Sequence, residues 1–173
     1  MSIPDVIALF HHRWAAPVLA ELRRQKGSRF AALAGHLGVG RESLRRTLDA
    51  LIALGLVARN PGYGHPLRPE YVLTREGADV AARCARLLDA VGDEREVALR
   101  KWSLPVLLAL RNARRFSELR DELPGVTPRA LALALKDLQA AGLVERRVDE
   151  TSYPPTVTYA ATRAAARLQR ALA

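Results

Sequence analysis

Apolar residues recur at the three- and four-residue spacing of amphipathic helices in two similar stretches of the chain, residues 29–59 and 115–147. Each stretch predicts a short helix, a tight turn at glycine, a longer helix, and then Gly-Leu-Val with an extended run that contains arginine. The predicted apolar helix positions are Phe30, Leu33, Leu37, Leu44, Leu48, Leu51 and Ile52 in the first stretch and Phe116, Leu119, Leu123, Leu131, Leu135 and Leu138 in the second.

The similarity between the two stretches continues on both sides. Upstream, Trp14 and Trp102 each follow a basic residue and precede Pro-Val-Leu by two residues. Downstream, Thr74 and Thr162 are each followed by arginine. Paired positions stay 86 to 88 residues apart, and a repeat of this length indicates duplicated domains rather than a solenoid. We therefore predict a mainly α fold with small β-wings (α+β): two tandem winged helix-turn-helix domains, residues 1–91 and 92–173.

Local signals refine the predicted elements. Ser2 and Asp5 predict a capped N-terminal helix, and Ser28 is the predicted cap of a helix over 29–37. Residues 57–60 and 70–74 predict the strands of the first wing, with a flexible tip at 61–64. Arg75 begins a predicted amphipathic helix whose apolar stripe, which includes Cys84, is expected to pack on the other domain. Asp93 and Glu96 predict a further capping box, and the short connection predicts that the two halves pack together.

The charge of the chain is strongly positive. The formal net charge is +9; residues 1–90 hold 13 basic and 8 acidic residues, and residues 91–173 hold 14 and 10. Such a balance in both halves favours a polyanionic partner. The alternative is that an arginine- and alanine-rich composition reflects only the base composition of the genome.

The second helix of the first repeat presents a basic face. Arg41, Arg45 and Arg46 lie opposite its apolar positions, near its N-terminal end. In helix-turn-helix proteins that end enters the major groove, where arginine pairs with guanine or with phosphate. The predicted DNA-binding residues of this repeat are Arg29, Arg41, Arg45, Arg46, Arg59, His65 and Arg68. A solvated basic face without a ligand is the alternative.

The corresponding helix of the second repeat is different. Pro128, Arg129, Ala132 and Leu133 stand where the first repeat has Arg41, Glu42, Arg45 and Arg46, so the exposed face becomes largely apolar. This repeat is expected to hold phosphates while it reads few bases, and an exposed Leu133 would alternatively mark a protein contact. The predicted DNA-binding residues here are Arg115, Thr127, Arg129, Lys136, Arg146 and Arg147.

The order of these motifs resembles the HxlR family of MarR-like winged helix-turn-helix transcriptional regulators. The resemblance rests on Lys101-Trp102, Arg115-Phe116, Leu135-Lys136-Asp137-Leu138, Gly142-Leu143-Val144-Glu145-Arg146 and the Pro-Pro-Thr-Val-Thr-Tyr run that ends at Tyr159. In the first half Arg13-Trp14, Arg29-Phe30, Gly55-Leu56-Val57 and the run from Pro66 to Gly77 resemble the same pattern. It implies a bacterial regulator that binds double-stranded DNA and usually works as a homodimer through its terminal helices. Since one chain holds both copies, we infer an intramolecular pseudo-dimer with two unequal DNA-reading heads, able to span two major grooves about 34 Å apart.

Several other functions are not supported by the sequence. Some members of the resembled family sense oxidants through a cysteine near the N-terminus, and Cys84 does not match that position. Motifs for phosphate-binding loops, zinc hydrolases and nucleophile elbows are absent from the sequence, so we expect neither an enzyme nor a cofactor or metal. A cytoplasmic, nucleoid-associated protein is expected, since no apolar run approaches a membrane span. Two alternatives remain: a protein-interaction module with only non-specific DNA binding, and a sensor with a small-molecule effector between the domains.

Overall fold

The computed structural model describes residues 1–60, 69–151, 153 and 155–173, which form helices and two small antiparallel sheets. The helices are α1 Ile3–Phe10, α2 Ala15–Gln25, α3 Phe30–Leu37, α4 Arg41–Ala53, α5 Arg75–Ala90, α6 Arg95–Ala98, α7 Ser103–Ala109, α8 Phe116–Glu122, α9 Pro128–Ala140 and α10 Arg163–Leu172. The strands are β1 Ser28–Arg29, β2 Val57–Asn60, β3 Glu70–Leu73, β4 Val144–Asp149 and β5 Thr156–Ala161. The predicted α+β winged-helix class is confirmed. Within the described residues, no helix is long and apolar enough to cross a membrane.

The chain forms two compact units, residues 12–89 and residues 1–11 with 90–173. In the first unit, α2 is the central helix and packs against α3, α4 and β3. Leu33, Leu44 and Leu48 are buried in this unit, as their helical spacing predicted, and Leu19 and Leu22 of α2 are buried with them. Ile52, which the pattern grouped with the apolar positions of α4, has a side chain that is 37% exposed, because it follows the buried Leu51 by one residue and is rotated from it by about 100° around the helix.

A buried carboxylate ties α2 to α3. Glu21 accepts hydrogen bonds from Arg24 at 2.7 Å and from Gln25 at 3.2 Å, and His36 Nδ1 of α3 lies 2.8 Å from the same oxygen. The bond from Arg24, followed by those from Gln25 and His36, lowers the pKa of Glu21 to about 2 although burial acts to raise it. The carboxylate is therefore ionised at neutral pH and fixes the relative position of the two helices.

The wing of the first unit is a three-stranded sheet in the order β1-β3-β2. The register pairs Val57 with Leu73 and Asn60 with Glu70, so the two predicted wing strands are confirmed. Ser28 pairs with Tyr71 and lies in β1. Its predicted role as a helix cap is wrong, because backbone pairing with β3 takes up Ser28 and makes Arg29 the N-cap residue of α3. The predicted wing tip at 61–64 lies outside the described residues.

The second unit is built around α7, whose residues are all buried. This helix contacts α1, α6, α8, α9 and α10. The predicted capping box of α1 is present: Asp5 N–H donates to Ser2 Oγ at 3.3 Å and Ser2 N–H donates to Asp5 at 2.9 Å. Because its apolar face packs against α7, α1 belongs in space to the unit that contains the second repeat. The domain boundaries 1–91 and 92–173, drawn from the repeat in the sequence, stay a prediction.

The start of α6 differs from the sequence-based prediction. A capping box between Asp93 and Glu96 is wrong, since Glu94 is the N-cap residue and makes no side-chain cap hydrogen bond. Its carboxylate instead accepts a hydrogen bond from Arg167 of α10. That bond lowers the pKa of Glu94 although burial, the largest influence on it, acts in the opposite direction.

The same joint connects the wing to the following helix in both units. Thr74 Oγ1 donates to Gly55 O and Thr162 Oγ1 donates to Gly142 O, each at 2.7 Å. Both glycines end a long helix with a φ of +69°, which a residue with a side chain rarely adopts. The amides of the two threonines donate to the next carbonyl, Leu56 O at 3.1 Å and Leu143 O at 3.0 Å. The repeated Gly-Leu-Val and Thr-Arg motifs of the sequence therefore form one hydrogen-bonded joint in each unit.

The sole cysteine is inaccessible. Cys84 is fully buried in α5, and burial raises the pKa of its thiol to about 12. The thiolate is the reactive form, so the raised pKa and the burial together make the native thiol unreactive. We expect an aromatic disulfide reagent to label the native protein only on the timescale of unfolding, and to label one thiol per chain at once in concentrated guanidinium chloride.

An exposed thiol provides the control for this labelling. Ala53→Cys in a Cys84→Ala background places a thiol on an exposed position of α4, and it should react within the mixing time of a manual assay. Fast labelling of native Cys84 would contradict the buried placement and return the thiol to the candidates for an oxidant sensor.

Candidate nucleic-acid interface

Helix α4 separates its charged and apolar residues cleanly. Leu44, Thr47, Leu48 and Leu51 are buried on one side, and the Thr47 hydroxyl donates to the backbone oxygen of Ser43 at 2.8 Å. The charged residues all lie on the exposed side: Arg41, Glu42, Arg45, Arg46 and Asp49. The predicted basic face is therefore exposed, and the N-cap residue Gly40 has no side chain that would obstruct the N-terminal end of the helix.

A cleft of about 540 Å³ opens along this face, between α4, the start of α3 and the first wing. Its walls are formed by Phe30, Arg41, Glu42, Arg45, Asp49, Arg59, Pro69 and Tyr71. The guanidinium of Arg41 lies 5.6 Å from the centre of the Phe30 ring, and Arg59 is the cross-strand partner of Tyr71. Three of the predicted arginines are thus brought together from two separate elements, and two aromatic rings lie beside them.

Ion pairs divide the predicted arginines into two groups. Arg46 Nε lies 2.9 Å from Glu42, and Arg29 Nε lies 3.4 Å from Glu70. By contrast, Arg41, Arg45 and Arg59 have no carboxylate within ion-pair distance among the residues that the structure describes. An incoming phosphate or base edge would therefore meet unpaired guanidiniums inside the cleft, whereas the paired arginines would first have to leave their carboxylates.

The predicted set of site residues and the residues that line the cleft differ in two ways. His65 and Arg68, predicted on the first wing, lie outside the described residues. Phe30, Pro69 and Tyr71 line the cleft and were not predicted as site residues. Alternation along β3 would place Tyr71 on the same face as Pro69, but only the pairing with β2 shows which face that is.

Helix α9 presents a different surface at the corresponding positions. Thr127 is its N-cap residue, and the Thr127 hydroxyl accepts a hydrogen bond from Ala130 N–H at 3.2 Å. Arg129, Ala132, Leu133 and Lys136 form an exposed stripe, and the Leu133 side chain is 57% exposed. We call these four residues the α9 stripe. The core side of the helix contains the buried residues Leu131, Ala134, Leu135 and Leu138.

The remaining predicted cations of the second repeat lie around α8 and β4. Arg115 is the N-cap residue of α8, and its backbone N–H donates to Glu118 at 2.6 Å. Arg147 forms an ion pair with Glu145 on the same strand. Arg146 is exposed and has no ion pair within the described part of the chain. The isolated bridge between Arg114 and Tyr159 corresponds to the pairing of Ser28 with Tyr71 in the first unit.

Known proteins are similar to this chain in sequence. A protein named as an uncharacterized HTH-type transcriptional regulator in Mycobacterium tuberculosis strain CDC 1551 is 37% identical over 97 residues, 54% of this chain and 58% of the relative. YkvN of Bacillus subtilis strain 168, named in the same way, is 39% identical over 69 residues, 39% of this chain and 58% of YkvN. The chain thus spans about half the length of the curated relatives it matches.

A family model matches the chain twice. The model described as HxlR-like helix-turn-helix covers residues 9–96 and, separately, residues 97–173. Each span contains the two consecutive helices and the antiparallel wing described above. Since the two matches together account for nearly the whole chain, the protein belongs to the HxlR-like helix-turn-helix family, and the resemblance predicted from the sequence is confirmed.

Proposed function

We propose that this protein is a sequence-specific transcriptional regulator that binds double-stranded DNA through α4 and α9. The names of its relatives support this proposal, since they are HTH-type transcriptional regulators. The single observation that carries it is the cleft in which Arg41, Arg45 and Arg59 meet beside the exposed N-terminal half of α4. A cluster of arginines at that end of a recognition helix, without ion-pair partners among the described residues, matches the geometry with which such helices enter the major groove.

Each cation has a proposed role. Arg45 projects from the second turn of α4 and is assigned to a base edge, where its planar fork would pair with guanine O6 and N7. Arg41 and Arg59 flank it and would hold phosphates, with Arg29, Arg46, His65 and Arg68 as further backbone contacts. In the second repeat the proposed backbone contacts are Arg115, Thr127, Arg129, Lys136, Arg146 and Arg147. Such a regulator would act on the nucleoid in the cytoplasm, as a pseudo-dimer whose two domains pack within the chain.

The first experiment is selection from a random duplex library, followed by a salt titration of the enriched duplex and a scrambled duplex. We expect an asymmetric motif, since the two recognition helices expose different residues, and we expect the enriched duplex to remain preferred at about 0.15 M salt. If no motif is enriched and the affinity for every duplex falls together with salt, net charge alone explains the binding and the proposal fails.

A protein-interaction module is the second candidate, and the exposed Leu133 favours it. In that case the winged-helix fold would be kept while sequence-specific reading of DNA is lost. The selection experiment separates the two candidates, because an interaction module would bind the enriched and scrambled duplexes equally.

A further inference from the structure

The two recognition helices expose opposite chemistry at the same positions. Helices α4 and α9 both contain 13 residues, so Ala132 and Leu133 occupy the fifth and sixth positions, as Arg45 and Arg46 do in α4. In each helix these two positions are exposed and follow a buried leucine, Leu44 or Leu131. A side chain at these positions of a recognition helix is close enough to the N-terminus to reach base edges. The second helix therefore presents methyl and methylene groups where the first presents guanidiniums.

Cations bracket this apolar pair. The α9 stripe has Arg129 three residues before Ala132 and Lys136 three residues after Leu133, so all four lie on one face of the helix. Neither cation has a carboxylate within ion-pair distance among the described residues. Arg146, on the neighbouring strand β4, is exposed and also has no carboxylate within ion-pair distance among the described residues. This pattern of charge suits a polyanion that carries an apolar group between its phosphates.

In the major groove, the apolar group of that kind is the 5-methyl group of thymine. We propose that the α9 stripe reads thymine through Ala132 and Leu133, while Arg129 and Lys136 hold the flanking phosphates. The inference rests on the proposed function and names the base that the second repeat recognises. The binding site would then have two unlike parts, one with guanine read by Arg45 and one with thymine read by Leu133.

The test removes the methyl groups and nothing else. In the duplex enriched from the library, all thymines of one part are replaced by deoxyuridine, and the replacement is repeated for the other part. Loss of one buried methyl group weakens binding about fourfold, so we expect this factor for each contacted thymine in one part and no change in the other. Leu133→Ala should remove most of the sensitivity to deoxyuridine and leave the guanine preference of the first part unchanged.

Ile52→Ala is the matched control. Ile52 is an exposed apolar residue of α4, but it lies in the last turn of the helix and should not alter the response to deoxyuridine. Equal affinity for the thymine and deoxyuridine duplexes, with the guanine preference intact, overturns the inference and leaves the proposed function standing. Loss of self-association on Leu133→Ala, measured by sedimentation without any change in DNA binding, also overturns it and makes the stripe a protein interface. Absence of any enriched motif instead defeats the proposed function itself.

Discussion

Replacing Arg45 by alanine should weaken binding to the enriched duplex about 5- to 150-fold, the range for loss of one bidentate contact to a base. The expectation follows from the position of Arg45 in the cleft and from the absence of an ion-pair partner among the described residues. Affinity for the scrambled duplex should fall much less, since one phosphate contact at most is lost there. Fluorescence anisotropy with both duplexes at one salt concentration measures the two effects together.

Arg46→Ala is the matched control, because Arg46 is the next residue of the same exposed face. Its guanidinium does not line the cleft, and moving it from Glu42 to a phosphate exchanges one exposed ion pair for another, so we expect less than about a threefold change. Arg45→Lys distinguishes the kind of contact: lysine keeps the charge for a phosphate and loses the fork that guanine requires. A larger effect from Arg46→Ala than from Arg45→Ala would mean that Arg46, at the helix position that Leu133 occupies in α9, and not Arg45, reads the base.

The sequence predicted correctly those parts of the fold in which a local pattern of residues alone determines the secondary structure and the exposed face. The two faces of α4 follow from residues three and four apart, so the buried Leu44 and Leu48 could be separated from the exposed Arg41 and Arg45 without any knowledge of tertiary structure. The wing strands could be predicted for a similar reason, because two extended runs that flank a turn pair most readily with each other. The duplicated pattern added independent support, since each repeat predicted the same order of elements.

The parts that were missed depend on residues that are distant in the chain. Ser28 has the composition of a helix cap, but pairing with Tyr71 places it in a strand. The cap at Ser2 and Asp5 predicted that α1 is a helix, but no local signal indicated that it packs against α7. The cleft likewise needs Phe30 and Tyr71 from separate elements, and a single sequence contains no signal that they meet. Local periodicity therefore predicted which side chains are exposed but not which of them form a site together.

The joint between the first wing and α5 should be especially sensitive to an added methyl group. A Cβ atom at Gly77 would lie 1.8 Å from the backbone oxygen of Leu56, which also accepts the amide hydrogen of Thr74. Because the obstacle is backbone, α5 would have to move or the hydrogen bond would break. We expect Gly77→Ala to reduce the free energy of unfolding of the unit formed by residues 12–89 by about 1–3 kcal/mol.

Urea unfolding followed by tryptophan fluorescence measures this loss for one unit. In a Trp102→Phe background the signal comes from Trp14, which belongs to residues 12–89. Gly35→Ala is the matched control: Gly35 is an exposed helical glycine with no atom within 4 Å of the added Cβ, so alanine should be neutral or stabilise by up to about 1 kcal/mol.

The second repeat has Ala165, fully buried, at the position that corresponds to Gly77, so the requirement for glycine is specific to the first joint. Equal stability of Gly77→Ala and Gly35→Ala would show that α5 lies farther from Leu56 than the structure places it, and that this joint does not fix the wing beside the cleft.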